Sequence, residues 1–101
     1  MSERLFVYGT LKDPKVQRKI IGRELIGEPD VLEKYAVAQI TLDDSVYPIL
    51  IEAMNNNVGG LVLEVAPSDF SVLDEYEGDE YKRVRVKLRS GKLAWVYKKN
   101  K

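Results

Sequence analysis

The sequence predicts an α+β fold, a small mixed, mostly antiparallel β-barrel with two short flanking helices. Three observations carry that expectation. About six short apolar or alternating segments follow one another within 101 residues. Two helical stretches are bracketed by capping residues. Turn chemistry separates neighbouring segments closely enough to join strands directly. So many strands in so short a chain favour a closed or strongly curled sheet, which removes exposed edges. The length suits one domain, residues 1–101.

In chain order, Leu5 to Tyr8 is a short apolar run ended by Gly9, the pattern of a buried strand entering a turn. Asp13-Pro14 opens a helix, with Asp13 as N-cap and Pro14 at the first helical position. Val16 and Ile20 share one face of it, and Gly22 stops it. Val31 to Gln39 and Val46 to Ile51 read as strands joined by Asp43-Asp44-Ser45. Pro48 makes the second an edge or bulged strand. Asn55-Asn56-Asn57 reads as another polar turn, leading into a strand from Val58 to Val65. Gly59-Gly60 within it suggests a bulge or a close backbone approach.

Pro67-Ser68-Asp69 opens the second helix. Phe70, Leu73 and Tyr76 form its apolar stripe, and Gly78 is a natural C-cap. From Lys82 to Arg89 the chain alternates, with Val84, Val86 and Leu88 on one face and basic residues on the other. That is a half-buried antiparallel strand. Ser90-Gly91 turns it back into Leu93 to Tyr97.

Composition narrows the chemistry. The chain has neither Cys nor His, so the commonest nucleophile, the commonest general base and most zinc ligand sets are missing. No calcium-loop pattern occurs, and neither a metal nor a cofactor is expected. No apolar run approaches the ~20 residues that span a bilayer, so no membrane association is expected. Met-Ser-Glu-Arg does not resemble a signal peptide, and with no cysteine to form a disulfide framework a cytoplasmic protein is expected. The net charge is zero, yet residues 35–81 hold ten carboxylates and no cation, while residues 82–101 hold nine cations and no carboxylate. One reading is self-complementarity within the fold; the other is a basic strand, Lys82 to Arg89, serving as a nucleic-acid adaptor. The first is favoured because the whole chain lacks a basic excess, so no nucleic-acid partner is expected.

Two segments could carry chemistry. In Tyr8-Gly9-Thr10-Leu11-Lys12, backbone N–H groups beside a glycine could hold an anion or a developing oxyanion, or the segment is an ordinary strand-to-helix turn. In Leu73-Asp74-Glu75-Tyr76-Glu77-Gly78, Asp74 and Glu75 read as solvent-facing charges. Glu77 stands where the chain turns, near a helix C-terminus that disfavours a carboxylate. A partly buried Glu77 would have a raised pKa suited to proton transfer near neutrality. The other reading is a solvated acidic patch paired with the basic strand. Tyr81 could donate into a pocket formed by Glu77 or be a core aromatic, and Arg83 is expected to pair with Asp74 or Glu75.

Together, Phe6-Val7-Tyr8-Gly9-Thr10-Leu11-Lys12, Val58-Gly59-Gly60-Leu61-Val62 and Leu73-Asp74-Glu75-Tyr76-Glu77-Gly78 followed by Tyr81 and Arg83 resemble the gamma-glutamylcyclotransferase-like (AIG2-like) family across nearly the whole chain. The resemblance implies a small mixed barrel with flanking helices. It implies substrate binding at Tyr8, Gly9, Thr10 and Leu11, with Tyr81 beside them, and Glu77 as catalytic acid/base. The implied partner is a small-molecule gamma-glutamyl substrate, cyclised to 5-oxoproline with release of an amine or amino acid. The alternative is a non-catalytic small-molecule binding module on the same fold. The sequence leaves the oligomeric state open.

Overall fold

The computed structural model describes residues 2–99; Met1, Asn100 and Lys101, included in the expected domain and basic end, lie outside the described residues. Its elements are β1 (Glu3–Val7), a 3-10 turn (Thr10–Lys12), α1 (Pro14–Ile21), β2 (Gly27–Leu42), β3 (Ser45–Val65), α2 (Asp69–Glu77), β4 (Tyr81–Lys87) and β5 (Leu93–Lys99). The strands form one curled, half-barrel sheet in the order β2-β3-β1-β5-β4. All neighbouring pairs are antiparallel except β1 and β5, which run parallel. Among the described residues, no helix is long and apolar enough to cross a membrane.

β1 lies in the middle of the sheet and is covered on both faces. Leu5 and Val7 point into a core shared with Phe70 and Leu73 of α2 and with Val16 and Ile20 of α1. Phe6 points into a second core with Leu32, Leu50, Val62 and Val96. Burial on both faces explains why the strand reads as an unbroken apolar run rather than an alternating one. On β4, Val84 and Val86 face the second core as the alternation predicts, joined by Leu88 just beyond the strand.

The sheet curls until the turn between β4 and β5 reaches its other outer strand, β2. The Arg89 N–H, just past β4, donates to the Val31 carbonyl on β2 at 2.8 Å. Ser90 Oγ donates to Asp30 at 2.5 Å, Arg89 pairs with Glu33 at 3.2 Å and Lys92 with Glu28 at 2.9 Å. Arg85 and Arg83 face Glu3 and Asp74. Cations of the basic end thus find carboxylates inside the fold.

α1 begins and ends as its sequence predicts. The Asp13 side chain accepts from the Lys15 N–H at 2.9 Å, and Gly22 takes φ +81° at the C-cap. The buried Gln17 then ties α1 to its surroundings. Its Nε2 donates to the Leu11 carbonyl at 2.9 Å, and its Oε1 accepts from the Leu25 N–H at 2.8 Å.

Two expectations are corrected. Asn55-Asn56-Asn57 is not a turn: it lies inside β3, with Asn57 paired to Glu33. The two strands expected on either side of it are one, so the described sheet has five strands rather than six. Of the three asparagines only Asn57 is held by a β2 partner. Asn55 and Asn56 fall in the stretch between Glu52 and Asn57 where the register shifts, so the polar cluster marks an irregularity in one long strand rather than a turn between two. That irregularity lies away from Gly59-Gly60: between Glu33 and Tyr35, where Lys34 has φ +71°, the register slips against the β3 stretch between Glu52 and Asn57, which carries the extra residues. Gly60 serves instead as a close approach: a Cβ there would strike the Val7 carbonyl oxygen and the Phe6 ring.

Candidate active site

Three parts of the fold converge on a cavity of about 340 Å³. The turn after β1 supplies Tyr8, Gly9, Thr10 and Leu11; the far end of β3 supplies Val46, Tyr47 and Pro48; the end of α2 supplies Tyr76 and Glu77. Tyr81 of β4 and Tyr97 of β5 close the wall. All six residues singled out in the sequence therefore stand around one space. Leu11 contributes mainly backbone there, since its side chain is in the core. Among the described residues, no Lys or Arg lines the cavity.

Each part has a local reason for its position. β1 delivers Tyr8 from the sheet centre, and a 3-10 turn follows at once, with Lys12 N–H bonded to the Gly9 carbonyl at 3.1 Å. The first N–H groups of such a turn have no acceptor within it and are free to face a ligand. A methyl at Gly9 would sit 3.5 Å from Pro48 Cγ, on the cavity wall. At the other end, α2 stops at Gly78, whose φ of +77° suits glycine. Its N–H caps the Asp74 carbonyl at 3.0 Å. Pro48 lies where β3 has β2 on one side only, so its carbonyl is free to accept from Tyr81 Oη at 2.7 Å.

Glu77 is the electrostatic centre of the site. Burial pushes its carboxyl up to about 7. Among the described residues no cation and no hydrogen-bond donor meets it. The surrounding tyrosines have committed their hydroxyl protons elsewhere: Tyr8 to the Tyr97 carbonyl at 2.8 Å, Tyr81 to Pro48 and Tyr97 to Asp74 at 2.6 Å. Burial raises the Tyr8 hydroxyl well above its usual range, with Tyr81 and Glu77 adding to it. Burial also raises Tyr81, again with Glu77 contributing. The result is a cavity rich in lone pairs with one titratable carboxylate, suited to an ammonium group and to moving its proton.

The three carboxylates of the helix end separate, though not wholly as expected. Glu75 is exposed. Asp74 is half exposed but engaged, bonded by Tyr97 and 3.5 Å from Arg83, the partner expected for it. Tyr47, Pro48, Tyr76 and Tyr97 also line the cavity and were not singled out as site residues. Tyr47 and Pro48 are recruited by the curl of the long β2–β3 ribbon and Tyr97 by the parallel pairing of β5 with β1, and no local pattern signals either.

Comparison with known proteins agrees with this architecture. The profile of the family described as gamma-glutamyl cyclotransferase, AIG2-like, matches residues 5–101. Protein AIG2 C of Arabidopsis thaliana is 31% identical over 88 residues, covering 86% of this chain and 52% of that protein. AIG2-like protein D of the same plant is 32% identical over 85 residues, covering 83% and 55%. The chain thus spans about half the length of these relatives. A solution structure from Arabidopsis thaliana superposes with a TM-score of 0.79 at 27% identity, over 98% of this chain and 62% of that one. A solved gamma-glutamyl cyclotransferase superposes with a TM-score of 0.84 at 16% identity, over 99% and 68%, a likeness of fold.

Proposed function

Because the chain belongs to the gamma-glutamyl cyclotransferase, AIG2-like family, we propose that it cyclises a gamma-glutamyl group to 5-oxoproline, releasing an amine or amino acid. The observation that carries this reading is Glu77, an unpartnered carboxyl raised to about 7 inside a cavity that the Tyr8–Leu11 turn also lines.

The reaction needs no enzyme nucleophile, because the substrate carries its own. Glu77 takes a proton from the substrate's α-ammonium. The freed amine attacks the γ-carbonyl carbon of the same molecule, forming the ring C–N bond and a tetrahedral oxyanion. Backbone N–H groups of the Tyr8–Leu11 turn stabilise that charge. As the oxyanion collapses, the bond to the departing nitrogen breaks and Glu77 returns its proton to that nitrogen. The ring nitrogen passes its second proton to the released amine, leaving the neutral lactam and an ammonium product. A pKa near the working pH lets one carboxyl serve in both directions. Tyrosine and proline walls fold the γ-glutamyl chain so that nucleophile and carbonyl meet, which is where confinement lowers the barrier.

Incubation with a panel of gamma-glutamyl amino acids, gamma-glutamylamines and glutathione tests this, with 5-oxoproline as the readout. Glu77→Gln is expected to lower turnover by at least about 100-fold. Wild-type turnover should rise with pH through about 7, as Glu77 ionises. Equal rates for wild type and Glu77→Gln across the panel would end the proposal. Ligand-induced thermal shifts without product would instead indicate a binding module.

A further inference from the structure

Besides lining the cavity wall, Tyr97 stands at a hydrogen-bonded junction to which the proposed chemistry assigns no role. It is 5% exposed on β5. Its carbonyl holds the Tyr8 hydroxyl, and its own hydroxyl donates to Asp74 Oδ1 at 2.6 Å, a short, charge-assisted bond. Asp74 Oδ2 lies 3.5 Å from Arg83, whose guanidinium rests 3.9 Å from the centre of the Phe70 ring. The Asp74 carbonyl accepts the Gly78 N–H. Asp74 is therefore held from its side chain by the sheet and from its backbone by the helix cap, and Glu77 lies between Asp74 and Gly78 in the chain.

That last turn needs holding. It carries Asp74, Glu75 and Glu77 and no basic residue, at the helix end where negative charge is disfavoured. Glu77 acts electrostatically on Tyr8 after β1, Tyr81 on β4 and Tyr97 on β5, while its own shift comes from burial. Tyr47 on β3 and Tyr76 on α2 line the same cavity, and Tyr47 and Glu80 act on Tyr81. Among these, the Tyr97 hydroxyl is the one bonded to a side chain of α2 upstream of Glu77.

We propose that Asp74 and Tyr97 are positioning residues whose hydrogen bond clamps the last turn of α2 onto β5 and keeps the Glu77 carboxylate inside the cavity. Its catalytic meaning rests on the reading of Glu77 as acid/base; the clamp itself is tested without turnover. Selective carboxyl ¹³C labelling of glutamate, with Glu77→Gln to assign the signal, gives the Glu77 titration by NMR. Releasing the clamp admits water to Glu77, so Tyr97→Phe and Asp74→Ala should each lower its midpoint by about one pH unit. The double variant should shift it no further. Asp74→Asn, which keeps an acceptor for the Tyr97 hydroxyl, should stay near wild type.

A merely structural bond would lower the melting temperature and leave the midpoint in place, overturning the proposal. So would additive shifts in the double variant, or an Asp74→Asn that behaves like Asp74→Ala. Circular dichroism distinguishes a shifted midpoint in folded protein from unfolding. Absence of 5-oxoproline formation would sink the proposed reaction and leave these outcomes to decide the clamp.

Discussion

The two ends of α2 each hold a sheltered carboxylate, and the fold treats them in opposite ways. Asp69, in the first turn, accepts two guanidinium N–H groups from Arg23, at 3.1 and 2.5 Å, and the Ala66 N–H at 2.7 Å. The Arg23 hydrogen bonds hold it below the usual carboxylate range, with burial opposing and the Ala66 N–H assisting. Its position also matches the positive end of the helix. Glu77, nine residues into the same helix, has no such partner and sits at the disfavoured end. Asp69 is ionised and helps build the fold; Glu77 is poised between states. A carboxylate that the surroundings satisfy is scaffold, and one they leave unsatisfied beside a cavity is a candidate for chemistry.

The contrast breaks most visibly at Asp69. Asp69→Ala would leave Arg23 without its partner and the Ala66 N–H without an acceptor. A loss of about 2–3 kcal/mol is expected, at the lower end for a broken sheltered pair because Arg23 is half exposed. Urea unfolding at neutral pH measures it. A loss below about 0.5 kcal/mol would mean that Asp69 is as dispensable as an ordinary surface charge.

Acidity separates the two ends next. The Asp69 pKa is depressed on folding, so its contribution is complete above the unfolded value near 4 and is lost as pH falls through the folded one. The Glu77 pKa is raised, so the penalty of ionising it is absent below about 4.5 and complete above about 7. Between those limits stability should fall as pH rises. Glu77→Gln should therefore stabilise the protein by about 2 kcal/mol at pH 8 and by little at pH 4. Denaturant midpoints at the two pH values check this. Equal effects at both would mean that Glu77 is solvated in the fold.

Local signals made some of this legible and long-range ones did not. Asp13, Pro14 and Gly22 mark α1 because caps are made within a few residues of the chain. Leu5-Phe6-Val7 marks a strand covered on both sides because burial there is set by residue type. The Asn55–Asn57 stretch misleads because its polar residues mark a register shift within one long strand, with only Asn57 paired to Glu33 of β2, more than twenty residues away. In the same way Glu77 is conspicuous beside a helix-ending glycine, whereas Tyr97 looks like any core aromatic until β5 is laid parallel to β1. The satisfied end of α2 was equally hidden, since nothing near Asp69 in the chain points to Arg23.

The smallest expected effect concerns the exposed side of the same last turn. Tyr76 is 41% exposed, and its hydroxyl lies 3.1 Å from Thr10 Oγ1, joining α2 to the turn after β1 through a bond that water can replace. An exposed hydrogen bond between neutral groups contributes little net stability, because both hydroxyls stay solvated when it is broken. Tyr76→Phe should therefore cost less than about 0.5 kcal/mol and leave the Glu77 titration where it is. Thermal unfolding and the carboxyl NMR titration measure both quantities on one sample. A shift as large as that expected for Tyr97→Phe would move the support of Glu77 from the buried face of the turn to the exposed one. A null result would place that support on the β5 side, where the bond to Asp74 is charge-assisted and comes from the buried Tyr97, unlike the exposed neutral bond of Tyr76.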